Sequence, residues 1–120
     1  MTWTKAQENC LRRNAFLAEP KTAAENSKIK ELAVKHNKND HDIHVGPWIG
    51  AKDEAIEGLW VWADSGQTVS WTDWGNTEPN GGTMENCMIL NRDPEGYKTK
   101  EYKWNDVKCS GRFYSICQMK

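Results

Sequence analysis

Three short motifs occur in order between residues 76 and 109: Glu78-Pro79-Asn80, Glu85-Asn86-Cys87 and Trp104-Asn105-Asp106-Val107-Lys108-Cys109. Five of their side chains offer only oxygen as a ligand atom, namely Glu78, Asn80, Glu85, Asn105 and Asp106. A hard cation such as Ca²⁺ takes about six to eight oxygen ligands, whereas zinc and copper favour Cys or His. None of the 3 His lies in this region. The motifs therefore predict an oxygen-lined cation site, and a Cys87–Cys109 bridge would bring its parts together.

A Glu-Pro-Asn turn alone is weak support for a site, because Pro and Asn are common in solvated turns. The complete set is more specific. Its order and spacing resemble the sugar-binding site of the C-type lectin family, and the resemblance covers nearly the whole chain. It implies that residues 1–120 form a single carbohydrate-recognition domain.

The resemblance also implies a role for each residue of the set. One calcium ion would be bound by Glu78, Asn80, Glu85, Asn105 and Asp106, and two adjacent sugar hydroxyls would complete its coordination. Pro79 is expected to be cis. Glu-Pro-Asn implies mannose-type sugars, that is mannose, N-acetylglucosamine, glucose and fucose. The expected partners are therefore glycans with such terminal sugars, and the expected cofactor is Ca²⁺.

A second calcium site is implied by the family's auxiliary site, which Asp53, Glu57, Glu85 and Asn86 match in spacing. Gly81 and Asn86 stand where many members carry Asp. Because calcium affinity follows ligand charge, we expect this second site to be weak or empty.

The 4 Cys of this short chain indicate two disulfides and an oxidising compartment. Three pairings are possible from the count alone. The family resemblance implies Cys10–Cys117 and Cys87–Cys109, and it implies a secreted, extracellular protein.

Composition excludes several other functions. The net charge of −1 argues against nucleic acid or an anionic membrane surface as the main partner. There is no apolar run long enough to span a bilayer, so membrane insertion is not expected. No signal peptide is visible, and Met1 is interpreted as the start of a processed chain.

The hydrophobic pattern predicts two helices. Trp3, Ala6 and Cys10 share a face of a helix over about residues 3–13, which Thr2 or Thr4 could cap and Asn14 could end. Thr22-Ala23-Ala24-Glu25 has capping-box spacing and opens a second helix. The face of this second helix that we expect to be buried carries Ile29, Leu32, Ala33 and His36.

The family fold is α+β, with two helices flanking antiparallel sheets and a long calcium- and sugar-binding loop region. The family's N-terminal strand is expected to be missing here. Its usual partner, the closing strand predicted at residues 113–117, would then be an exposed edge, which suggests a possible homodimer. We interpret Trp60, Trp62 and Trp74 as core residues.

The segment Asn91–Lys103 is longer than the common family version. It is interpreted either as a solvated hairpin or as a wall beside the sugar site, with Tyr97 or Tyr102 as an added aromatic platform.

The sequence therefore predicts a non-catalytic, calcium-dependent lectin. The alternative is a C-type-lectin-like domain that binds protein, mineral or ice without sugar. A hydrolase with Glu78 and Glu85 as an acid/base pair is disfavoured, because nothing in the sequence indicates a nucleophile or a raised pKa.

Overall fold

The computed structural model describes residues 1–36, 46–75, 84–92 and 102–120. These residues form two helices and six strands. In chain order they are α1 (Trp3–Leu11), β1 (Ala15–Leu17), α2 (Ala23–His36), β2 (Trp48–Lys52), β3 (Val61–Trp62), β4 (Cys87–Arg92), β5 (Tyr102–Val107) and β6 (Cys117–Met119).

Helix α1 forms as its pattern predicts. Thr2 caps it, since the Oγ1 of Thr2 accepts a hydrogen bond from the backbone N–H of Lys5. The helix buries Trp3 and Cys10 and ends before Asn14, whose φ of 57° reverses the chain. Asn tolerates this left-handed conformation better than most residues, so the predicted end of the helix is confirmed.

Helix α2 begins with the predicted capping box. The Oγ1 of Thr22 accepts from the N–H of Glu25, and the Glu25 carboxylate accepts from the hydroxyl of Thr22. The predicted buried face is wrong in part. Leu32 is 43% exposed and His36 is exposed at the helix end, where its ring stacks on Tyr114. The inner face buries Ala33 together with a polar residue, Asn26.

The larger sheet has four antiparallel strands in the order β3-β2-β4-β5. Strands β4 and β5 form its longest pair, in which Cys87 faces Val107 and Met88 faces Asp106. Strand β5 is therefore an edge strand of this sheet, and its last residues carry the Trp-Asn-Asp motif.

The closing strand lies later in the chain than predicted. Residues 113–116 make isolated backbone hydrogen bonds to Met1, Trp48 and Ala18, while strand β6 itself spans Cys117–Met119. Strand β6 pairs with β1 in a two-stranded sheet, so one of its edges is covered. No strand precedes α1 among the described residues.

The side chains form two buried clusters. One contains Trp60, Trp62 and Trp104, with Trp71 and Trp74 packed against it. Their rings meet edge to face, as in the 5.7 Å separation of the Trp62 and Trp104 centroids, which is a favourable aromatic geometry. The core interpretation of these tryptophans is confirmed.

The other cluster joins helix α1 to the sheets, and includes Trp3, Leu17, Trp48 and Ile89. Both disulfides implied by the family resemblance are present. Cys10 is bonded to Cys117 and Cys87 to Cys109.

Tyr102 does not offer an aromatic platform. It is 1% exposed and belongs to the tryptophan-rich cluster, because β5 already begins at this residue. Tyr97 lies outside the described residues.

Candidate functional site

Asn105 and Asp106 lie side by side near the end of strand β5. Asn105 is half-buried and Asp106 is 2% exposed. Consecutive side chains of a strand point to opposite faces, so a single ion could meet both only at an edge of the sheet. Strand β5 provides such an edge.

Glu85 and Asn86 lie immediately before strand β4, and both are half-buried. The Cys87–Cys109 disulfide joins the start of this strand to Cys109, which lies three residues after Asp106. Cys87 also pairs directly with Val107 across the two strands. The structure therefore brings Glu85 and Asn86 to the same end of the sheet as Asp106, as expected from a bridge at this place.

Asp53 directly follows strand β2 and reaches the same end. Its backbone N–H donates to the carbonyl of Asn86 over 3.1 Å. The side chain is 3% exposed, and its Oδ2 accepts from the N–H of Gly58 over 3.1 Å. Gly58 has a φ of 83°, a conformation open to glycine, which turns its N–H toward this carboxylate. The other oxygen, Oδ1, is buried and accepts no hydrogen bond.

Negative charge accumulates around Asp53. Burial, and then the nearby charge of Asp106, raise the pKa of Asp53 above its ordinary value, although the hydrogen bond from Gly58 opposes this shift. Desolvation and the charges of Asp53 and Asp106 raise the pKa of Glu57 as well. These three carboxylates therefore interact with one another.

The sequence predicts Asp53 and Glu57 as ligands of a second ion and Asp106 as a ligand of the first, with Glu85 shared by both. The structure places Asp53, Glu57 and Asp106 close enough to interact electrostatically, and their division between two ions stays a prediction. Sequence spacing could not reveal this proximity, because Asp53 and Glu57 lie in the loop after β2 whereas Asp106 lies in β5.

Two predicted ligands, Glu78 and Asn80, lie outside the described residues, as does Pro79 with its expected cis bond. The chain enters the 76–83 segment from Gly75, whose N–H donates to the carbonyl of Trp104 over 2.9 Å. It leaves the segment at Met84, directly before Glu85. Both ends of the segment therefore adjoin described members of the predicted set.

A buried polar network next to the site was not found by sequence reasoning. Asp73 accepts hydrogen bonds from Lys30 at 2.8 Å, Lys103 at 2.9 Å and the amide of Asn26 at 2.9 Å. Burial alone would raise the pKa of Asp73, but the hydrogen bonds and charges of Lys30 and Lys103 lower it overall. The available signal was Asn26 itself, a polar residue in register with Ile29 and Ala33 on the inner face of α2.

Glu54 lies close to both sulfurs of the Cys87–Cys109 pair, within 4.8 Å. This is the one three-residue group of potential metal ligands among the described His, Cys, Asp and Glu residues. Both sulfurs are already joined in the disulfide, and a metal requires the free thiolate. We therefore do not interpret this group as a metal centre.

Comparison with known proteins identifies the family. Residues 1–119 match the Lectin C-type domain. The chain belongs to the C-type lectin domain family. It is 35% identical to salivary C-type lectin 2 of Aedes albopictus over 120 residues, covering 99% of this chain and 78% of that protein. It is 32% identical to human tetranectin over 120 residues, covering 98% of this chain but 54% of tetranectin.

Solved structures of C-type lectin domains and related proteins share the fold. The herring type II antifreeze protein superposes with a TM-score of 0.77 at 28% identity, covering 98% of this chain and 81% of that one. The C-type lectin domain of murine dendritic cell inhibitory receptor 2, solved in complex with N-glycan, also gives 0.77 at 28% identity, covering 99% and 82%. A calcium-independent type II antifreeze protein matches too, with a TM-score of 0.73 and 28% identity over 98% of this chain and 77% of that one.

The α+β, C-type-lectin-like fold is thereby confirmed. C-type lectin domains are non-enzymatic binding proteins, so the hydrolase interpretation of Glu78 and Glu85 is not supported. The family generally binds Ca²⁺ and glycans, although some relatives are calcium-independent. Among the described residues, no helix combines the length and apolar character needed to cross a membrane.

Proposed function

We propose that this C-type lectin domain binds mannose-type sugars on glycans in a calcium-dependent manner. The observation that carries the proposal is the acidic cluster of buried Asp53, buried Asp106 and exposed Glu57, in which Oδ1 of Asp53 is buried without a hydrogen bond. A buried carboxylate oxygen without a donor is costly unless a cation compensates its charge. The cluster therefore fits a bound cation.

The chemistry of the donor set favours calcium over other metals. The residues contribute carboxylate and amide oxygens, and the sulfurs nearby are locked in a disulfide. We assign the primary site to Glu78, Asn80, Glu85, Asn105 and Asp106. Gly75, three residues before Glu78 in the sequence, donates its N–H to the carbonyl of Trp104, the first residue of the Trp-Asn-Asp motif.

When bound, Ca²⁺ supplies a positive centre that polarises two adjacent sugar hydroxyls and offers them coordination. The protein's own residues determine how the sugar hydroxyls are oriented. The Asn80 and Asn105 amides can donate hydrogen bonds, whereas the ionised carboxylates of Glu78 and Glu85 can only accept. A vicinal pair of equatorial hydroxyls, as in mannose, meets this order of donors and acceptors.

We assign the possible second ion to Asp53, Glu57, Glu85 and Asn86. Asn86 is neutral, and Gly81 offers no side-chain oxygen, so the site has fewer charged ligands than in many family members. The proximity of Asp53 to Asp106 adds charge to it and couples the two sites electrostatically. We expect it to be the weaker of the two.

Two further proposals follow from the fold. We place the protein outside the cell, because its described cysteines are all paired in disulfides, which persist in oxidising compartments. We also propose a homodimer, since a single shallow sugar site gains avidity from repetition.

The second candidate function is binding of protein, mineral or ice without sugar. The similarity to herring type II antifreeze protein and to a calcium-independent type II antifreeze protein favours it. The buried Oδ1 of Asp53 fits a bound cation in either candidate, since a Ca²⁺-dependent type II antifreeze protein is also similar to this chain, and glycan binding itself is therefore the property that separates them.

A glycan array in Ca²⁺ and again in EGTA tests the proposed function. We expect retention on mannose-terminated glycans that EGTA abolishes. Isothermal titration with mannose at neutral pH and at about pH 5 should show weaker binding in acid, because protons compete for the carboxylate oxygens. Binding that is equal with and without EGTA would contradict the proposal. Absence of glycan binding, combined with thermal hysteresis in an ice assay, would favour the second candidate.

A further inference from the structure

A closed ring of hydrogen bonds joins helix α2, strand β5 and the residues that lead into the 76–83 segment. The indole Nε1 of Trp104 donates to Oδ1 of Asn26 over 3.0 Å. The Nδ2 of Asn26 donates to Oδ2 of Asp73 over 2.9 Å. The backbone N–H of Trp104 then donates to the carbonyl of Asp73 over 2.9 Å, which closes the ring.

The chemistry of the groups in this ring fixes which of them donates and which accepts each side-chain hydrogen bond. An indole N–H can only donate and an ionised carboxylate can only accept, so the group between them must do both. The side-chain amide of Asn26 meets this need. Asn26 is 2% exposed and Trp104 is fully buried, so water cannot readily replace either bond. Lys30 and Lys103 hold Asp73 in its charged form from the outer side.

The ring connects the two chain segments that carry the proposed ligands. Trp104 directly precedes Asn105, and Asp73 lies two residues before Gly75, where the 76–83 segment begins. Gly75 in turn donates to the carbonyl of Trp104 over 2.9 Å. The relative position of Asn105 and Gly75 therefore depends on Asn26 and Asp73.

We infer that Asn26 and Asp73 are positioning residues for the calcium and sugar site, although neither contacts the ion or the sugar. The inference rests on the proposed function. It predicts that disturbing the ring weakens calcium binding even where the domain stays folded, because Asn105 and Asp106 are then no longer held in a fixed position relative to residues 73–75.

An exchange of the two side chains provides the test. Asn26→Asp sets two carboxylates against each other. Asp73→Asn replaces one acceptor oxygen with an NH₂ group that cannot accept from Lys30, Lys103 or Asn26. In the double variant Asn26→Asp/Asp73→Asn, the carboxylate at position 26 accepts from Trp104 and from the amide at position 73. Lys30 lies one helical turn from position 26 and can pair with that carboxylate, so net charge and hydrogen bonds are both retained.

Calcium titration of each folded variant, followed by tryptophan fluorescence and calorimetry, gives the readout. We expect each single variant to raise the calcium Kd at least about tenfold, the scale seen when the outer partners of a metal site are lost. The double variant should return to within about twofold of wild type. Two exposed residues, Gln67 and Asp64, supply matched controls: Gln67→Glu and Asp64→Asn make the same chemical changes and should leave the Kd unchanged.

Four outcomes would overturn the inference. Single variants that lower the melting temperature but keep the wild-type calcium Kd would show that the ring is only structural. A double variant that binds no better than the singles would do the same. Wild type that binds no calcium would refute the proposed function, and the positioning role with it. If a single variant fails to fold, Lys30→Gln removes one charged partner of Asp73 and so weakens the hold on the ring, and an unchanged Kd in that variant would also contradict the inference.

Discussion

Asp53 and Asp73 are two shielded carboxylates in opposite electrostatic surroundings. Asp73 is neutralised from within the chain by Lys30 and Lys103, and its pKa is lowered. Asp53 faces Asp106 and has one oxygen without a donor, and its pKa is raised by burial and by that charge. The difference separates an acid that serves the fold from an acid that fits a ligand cation. Of the two, only Asp53 has a buried carboxylate oxygen whose charge no donor or cation of the described residues compensates.

The largest effect is expected from Asp73→Ala. This change leaves two lysines without their carboxylate and removes the acceptor of the Asn26 amide, in a region where the Asp73 side chain is 14% exposed. Because the lysines remain partly hydrated, we expect a loss of about 2–3 kcal/mol, below the range for a fully buried pair. Urea unfolding in EGTA measures it.

Asp53→Asn is the matched comparison in the same metal-free experiment. It removes the repulsion with Asp106, so we expect no loss, or a gain, in the free energy of unfolding. Equal destabilisation by Asp53→Asn and Asp73→Ala would show that the two carboxylates do not differ as described.

Added calcium should make a substitution of Asp53 destabilising relative to wild type. An ion that binds only the folded protein adds about 2.7 kcal/mol at one hundred times its Kd. We expect a smaller gain for Asp53→Asn than for wild type, and a wild-type gain for the exposed control Asp64→Asn. Thermal unfolding with and without Ca²⁺ is the measurement. A full gain in Asp53→Asn would exclude Asp53 from ion binding.

A double substitution that exchanges the donor and acceptor groups at residues 78 and 80, without changing the net charge, tests the contacts to the sugar. Glu78→Gln combined with Asn80→Asp keeps one negative charge and two side-chain oxygens, so calcium should remain bound. Each mismatched polar contact to the sugar costs roughly 1–3 kcal/mol, which is enough to abolish weak mannose binding. The preference should move toward galactose-type sugars. Retained mannose affinity with calcium bound would place the sugar away from this pair.

The smallest effect is the pH dependence of the metal-free protein. Asp53 and Glu57 have raised folded-state pKa values, so folding favours their protonated forms. Their contribution to stability is fully present below the unfolded pKa and is lost as pH rises through the folded one. The contribution of Asp73 has the opposite sign and is lost only when pH falls through its lowered pKa.

In mild acid, Asp53→Asn and wild type should therefore have the same free energy of unfolding. Asp73→Ala should remain less stable than wild type under the same conditions. Unfolding free energies in EGTA between neutral pH and about pH 4 test this. A gap for Asp53→Asn that stays constant over this range would contradict the raised pKa.

The sequence predicted the local features well, because local features depend on neighbouring residues. The Thr2 cap, the Thr22–Glu25 box and the end of α1 at Asn14 follow from short-range hydrogen bonding and backbone preference. The disulfides and the family followed from motif order. Mannose specificity and the ligand set remain predictions.

Tertiary features were predicted less well. The exposure of Leu32 depends on which neighbours α2 receives, and periodicity does not supply that. The closing strand was placed too early, because residues 113–116 bond to other segments before regular pairing with β1 begins. The electrostatic interaction of Asp53 with Asp106, and the ring through Asn26, depend on side chains brought together only by the tertiary fold.

The Cys10–Cys117 disulfide has a mechanical consequence. The covalent path from one end of the chain to the other runs through residues 1–10, across this bond, and out through residues 117–120. Tension applied to the two ends would pass through the disulfide, so the backbone of residues 11–116 would carry none of it. Every proposed ligand lies in that portion. A pull on the two ends would therefore act on α1 and β6 before it acts on any proposed ligand.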